Sequence, residues 1–220
     1  MNQVITLGKL AILFLFVAVF SVGQKTEETV SADSALAELK AGNAHHVAHR
    51  YTHPHVTPER QRELASGQHP HAQVLSCADS RVPPEVVFDQ GLGDLFVVRV
   101  AGNVTSDSEL GSLEYGALHL HVPLLVVLGH QHCGAVTAAV EGGEAEGHIG
   151  SLVSLIRPAV EATKGMPGDP VDNAVKANVE MTVKKLRASP IFAELIAGGK
   201  LKVVGAVYSL DTGKVTWLGD

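Results

Sequence analysis

The chain carries two cysteines in 220 residues, and each stands beside groups that could share its chemistry. Cys77 opens the run Cys-Ala-Asp-Ser-Arg, so Asp79 and Arg81 follow two and four residues later. Cys133 closes the run His-Gln-His-Cys, three residues after His130. Two thiolates and one imidazole are a ligand set for catalytic zinc, which takes three protein ligands and keeps a fourth position for water. Cys77, His130 and Cys133 form that set. Cys133 also precedes the helical stretch GAVTAAVEG, whose positive end favours a thiolate. Asp79 can reach the same place and has two options. It can be a fourth ligand and close the site, or it can pair in bidentate fashion with Arg81 and leave the metal open. Two thiolates already neutralise a dication, so a third anion gains less there. Held by Arg81, Asp79 can accept a hydrogen bond from a water and orient it. The competing reading is a Cys77–Cys133 disulfide, which an oxidising compartment would allow. It leaves Asp79, Arg81 and His130 without a shared purpose.

These residues need elements that bring them together. HAQVLSCA reads as a buried strand, DLFVVRVAGN as a second, and VPLLVVLGH as a third. The third is almost wholly aliphatic, which suits a sheet covered on both faces. SADSALAELKAGNAHHVAHR has helical spacing, with Ser31 or Asp33 as cap and Gly42 as an interruption. SDSELGSLEYGALHLH opens on a capping box of Ser106 and Glu109. GSLVSLIRPAVEA and DNAVKANVEMTVKKLRAS read as further helices. KLKVVGAVYSL and GKVTWLG read as strands joined by a turn at Asp211-Thr212-Gly213. Alternating strands and helices predict an α/β fold, a mainly parallel β-sheet flanked by helices. In such sheets ligands collect beyond the carboxyl ends of the strands. Cys77, Arg99, Asn103, His130 and Cys133 all fall at such ends. Glu85 and Asp94 read as turn and surface residues.

Composition sets the limits. Apolar residues make up 45% and charged ones 18%, which is a globular balance. The net charge of −6, with no basic tract, argues against a nucleic-acid partner. Residues 1–23 have the pattern of a secretory signal: Lys9, an apolar run from Leu10 to Val22, and small residues at Ser21 and Gly23. The apolar run is short against the about 20 residues of a membrane span. Cleavage is expected, leaving a single domain over 24–220 that is periplasmic or secreted and free of the membrane. An uncleaved anchor is the alternative. Nine of the twelve histidines are crowded in NAHHVAHRYTHPH, QHPHA and LHLH. Any one of them reads as a surface or packing residue before it reads as a proton shuttle, and His132, one residue from Cys133, reads as structural.

CADSR at Cys77–Arg81, GHQHCG at Gly129–Gly134 and DLFVVRVAGN between them resemble the β-class carbonic anhydrases. The similarity runs from about LKAGN to VYSLDTG. The resemblance implies one Zn2+ per subunit held by Cys77, His130 and Cys133, with Asp79 and Arg81 as a catalytic dyad. It implies substrate contacts from Gln68, Phe96 and Tyr115, and from the backbone N–H of Gly134. It implies reversible hydration of carbon dioxide to bicarbonate and a proton by zinc-activated hydroxide, at a rate that rises with pH through neutrality. It also implies a homodimer or higher homo-oligomer with pockets at the interface, so that Gln68 would serve the neighbour's zinc. One family subgroup is switched off by bicarbonate and has Trp three residues before the first zinc cysteine and Gly immediately before it. Here those positions are Val74 and Ser76. The chain thus resembles the plant-like, open subgroup, with Asp79 a fourth ligand only in a closed state. Hydrolysis of carbon disulfide or carbonyl sulfide on the same scaffold is one rival function. A non-catalytic periplasmic zinc or redox binding protein is the other.

Overall fold

The computed structural model describes residues 30–219; the expected signal at 1–23 lies outside them. Four parallel strands, β1 (Ala72–Ser76), β2 (Leu95–Arg99), β3 (Leu124–His130) and β4 (Lys202–Tyr208), and one antiparallel strand, β5 (Val215–Leu218), form a sheet of order β2-β1-β3-β4-β5. The α/β architecture read from the alternating pattern is therefore present. Every residue of β1 and β3 is buried, as their unbroken apolar runs require.

Helix α1 (Ala32–Val47) and the short α3 (Pro84–Val87) cover one face of the sheet, where Leu36, Leu39 and Phe88 pack on Val74, Leu124, Val126 and Leu128. The other face carries α4 (Asp107–Leu118), α5 (Gly134–Glu141), α6 (Ile149–Thr163), α7 (Pro170–Ala188) and α8 (Pro190–Ala197). Each fully buried large aliphatic side chain stabilises by about 1.5–3 kcal/mol. That sum fixes the strand ends on which the polar groups sit. Register puts the ends level: Ser76 pairs with Arg99 and with Leu128, and His130 with Tyr208.

The local signals form as expected in most places. Ser31 caps α1, its Oγ accepting from Ser34 N at 3.1 Å. The box at α4 closes with Ser106 N donating to Glu109 Oε2 at 2.8 Å. The β4–β5 turn closes with Ser209 N donating to Lys214 O at 2.9 Å. Two expectations are corrected. Gly42 does not interrupt α1, which runs through it; a Cβ there would lie 1.7 Å from Phe88 O, so glycine permits close approach of helix to backbone. Asp94 is not a surface residue but is 4% exposed. The sequence pattern also leaves out α2 (Pro58–Leu64), α3 and α8, which are too short to show a period.

Candidate metal centre

Cys77 follows β1, His130 ends β3, and Cys133 caps α5 three residues later. The parallel register therefore delivers all three to one edge of the sheet. They are 4%, 0% and 1% exposed, and one potential ligand atom from each lies within 4.8 Å of the others. Both cysteines are free, with their sulfurs 3.9 Å apart. A disulfide needs about 2.05 Å, whereas two thiolates on one tetrahedral zinc at about 2.3 Å each stand about 3.8 Å apart. The disulfide reading fails on that distance. His130 offers its Nδ1 to Gln131 O at 2.8 Å, which leaves Nε2 buried and without a hydrogen-bond partner. A buried ring nitrogen of this kind is costly unless something accepts its lone pair. The donor set fits zinc.

The hydrogen bond from Cys133 brings Cys77 down to about 4, and the same bond, together with burial, pushes Cys133 above the ordinary thiol range. Gly102 N–H adds a second donor to Cys77 Sγ at 3.3 Å. One face of this cluster is approached by Asp79, whose Oδ2 is 3.8 Å from His130 Nε2. Its carboxylate, however, is held by Arg81: Nε to Oδ1 at 2.9 Å, Nη2 to Oδ2 at 2.6 Å, and the backbone N–H to Oδ1 at 2.9 Å. Arg81 thereby keeps the Asp79 carboxyl well below the usual carboxylate range. A metal held by two sulfurs and one nitrogen, beside a carboxylate tied away to a guanidinium, would keep a corner for solvent.

A profile of the family described as carbonic anhydrase matches residues 72–215, which span β1 to the start of β5 and all three ligands. Carbonic anhydrase 2 of Mycobacterium tuberculosis is 44% identical over 186 residues, 82% of this chain and 90% of its own. The chain belongs to the carbonic anhydrase family. Solved structures place it in the β class. A Coccomyxa β-carbonic anhydrase in complex with acetazolamide is 33% identical, with a TM-score of 0.66 over 71% of this chain and 75% of its own. A tetrameric β-carbonic anhydrase of Sordaria macrospora reaches a TM-score of 0.69 at 26% identity, over 86% of this chain and 98% of its own.

In this β-carbonic anhydrase chain the remaining sequence-derived positions are spread over several elements. Phe96, on β2, and Tyr115, on α4, have ring centroids 6.2 Å apart. Gln68 is exposed in the segment between α2 and β1. No hydrogen bond or ring contact among the described residues joins Gln68, Phe96 or Tyr115 to the three ligands. Gly134 is the first residue of α5, exposed and next to Cys133. His132 is exposed, and its contribution is a carbonyl that accepts from Arg81 Nη2 at 3.3 Å. Two supports escaped sequence reasoning. Arg99, noted only as a strand end, donates to Cys77 O at 3.0 Å and to Asp79 O at 2.6 Å, so it clamps the loop bearing both residues. Asn178 donates to Gly102 O at 2.8 Å and so fixes the donor to Cys77. The Arg99 clamp had a trace in the sequence, an arginine level with the cysteine; the Asn178 support, 76 residues from its acceptor, had none.

Proposed function

We propose that this protein reversibly hydrates carbon dioxide to bicarbonate and a proton, with one zinc ion held by Cys77, His130 and Cys133. The carrying observation is the bidentate Asp79–Arg81 pair set beside three converging ligand atoms. Zinc there would supply the Lewis acidity that makes hydroxide available near neutral pH. Asp79, an ionised acceptor, orients the attacking water through its proton. Arg81 holds that carboxylate in place and away from the ligands. Gln68 donates its amide to a substrate oxygen, Phe96 and Tyr115 supply the apolar wall for carbon dioxide, and the Gly134 N–H steadies the anionic product.

These contacts are best made across a dimer. Phe96 lies three residues before the end of β2, about 10 Å back along the strand from the ligand edge. Its own chain's metal edge is therefore a poor partner for it, and a neighbour's is a better one. Tyr115 and Leu118 are 49% and 40% exposed on the same flank, and the Sordaria relative is tetrameric. Val74 and Ser76 stand where the bicarbonate-switched subgroup has Trp and Gly, which supports the open, bicarbonate-insensitive form. The leader pattern at residues 1–23 supports export with cleavage before Gln24.

Carbon dioxide hydration by stopped flow, with and without a zinc chelator, tests the reading. Activity that needs about one zinc per chain is expected, and Cys77→Ser should lose both metal and activity. Zinc-loaded protein that ignores carbon dioxide, or that prefers carbon disulfide or carbonyl sulfide, overturns it. The mass of the exported chain reads the cut: an intact leader contradicts cleavage.

A further inference from the structure

Asp94 is a buried carboxylate to which several separate segments are tied. His55 Nδ1 meets its two oxygens at 2.7 and 2.9 Å, and Gly91 N donates to Oδ2 at 2.8 Å. Arg60 of α2 places Nη2 3.7 Å from Oδ1 and donates from Nε to Leu92 O at 3.1 Å. The backbone carbonyl of Asp94 accepts from His71 N at 3.0 Å. Gly93, at φ +79°, lies so close to Leu64 that a Cβ would come within 2.6 Å of Leu64 Cδ2.

The segment bearing Gln68 runs from the end of α2 to His71. One of its ends is docked through Arg60 and Leu64, the other through His71 N. Both docks are on Asp94 or the two residues before it. The chain then passes from Asp94 through Leu95 to Phe96, so the same residue sets the start of β2. We propose that Asp94 is a positioning residue that sets Gln68 and Phe96 relative to each other against the substrate. This rests on the reading that those two side chains touch substrate. Asp94 acts only through them: its carboxylate is consumed by His55, Gly91 and Arg60.

The test is a double-mutant cycle in the zinc-loaded full chain. Asp94→Asn keeps the shape but presents an amide where donors converge. Arg60→Met cuts α2 from Asp94 and leaves His55 and Gly91 in place, so it carries the same test if Asp94→Asn does not fold. Each should lower kcat/KM for carbon dioxide by about tenfold, within the coupling range of residues in one network, with zinc content unchanged. Backbone hydrogen exchange over residues 65–71 should quicken in both. In a Gln68→Ala background the further loss should shrink to about twofold or less, since the group being positioned is gone. Full activity in both variants overturns the proposal. So does a loss that multiplies undiminished with that of Gln68→Ala. If Gln68→Ala alone is silent, the substrate-contact reading falls, and that result is distinct from a strong Gln68→Ala with independent losses.

Discussion

The carboxylate of Asp79 receives three donors from Arg81, two of them guanidinium nitrogens, while the metal ligands stand on its other side. Its pKa is depressed, so the pair's stabilisation is complete above the ordinary carboxylate value of about 4. That stabilisation is lost only as pH falls through the depressed one. Between pH 6 and 9 Asp79 stays ionised, and a hydration rate that rises over that range cannot owe its rise to the dyad. Removing the guanidinium changes the competition. In Arg81→Met the carboxylate keeps only the backbone N–H of residue 81, lies 3.8 Å from His130 Nε2, and can turn its Oδ2 onto the ligand cluster as a fourth donor. Hydration should fall by about 100-fold or more, the scale of losing a positioned acid–base group, with zinc content unchanged. Wild-type rates in that variant would remove Arg81 from the mechanism. At this scale the sequence was informative: Cys77, Asp79 and Arg81 are so close along the chain that any loop must keep them together. Asp94 was misread because its partners, His55 and Arg60, lie 39 and 34 residues away, and nothing local marks a carboxylate as buried.

Element positions follow from apolar runs, and the exceptions follow from tertiary contact. β1 and β3 were legible because continuous aliphatic sequence has few other places to go, and the reactive residues sit at their ends. The helices α2, α3 and α8 span 7, 4 and 8 residues and begin at prolines. Such lengths hold too few turns for a periodicity to show. Gly42 illustrates the other failure. Within a helical pattern a glycine reads as a weak point, yet α1 continues because Phe88 O, from the end of α3, occupies the space of a Cβ. Alanine improves intrinsic helix propensity by about 1 kcal/mol. Here the clash is with backbone, which cannot step aside like a side chain. Gly42→Ala should therefore destabilise the protein by about 3 kcal/mol, the upper end of overpacking costs, read as a lower urea midpoint. An unchanged or raised midpoint would show that α1 and α3 can separate freely.

For the molecule as a whole, the sheet order leaves β2 on an edge, and its first four residues are half-buried rather than covered. An uncovered edge strand invites pairing or packing by another chain. The same flank exposes Tyr115 and Leu118 and carries Phe96, and Gln68 belongs to the loop leading into neighbouring β1. No sequence pattern marks this edge; the oligomer was readable only through resemblance, because strand order is invisible until the strands are paired. On the proposed reading the active unit would contain at least two chains, with metal ligands from one and Gln68 and Phe96 from the other. Sedimentation should show a dimer or larger species at micromolar concentration. Dilution through its dissociation range should lower activity per chain in step with the loss of that species, while each chain keeps its zinc. A monomer with undiminished turnover would mean that Gln68 and Phe96 serve no neighbour, and the apolar wall would have to be sought within one chain.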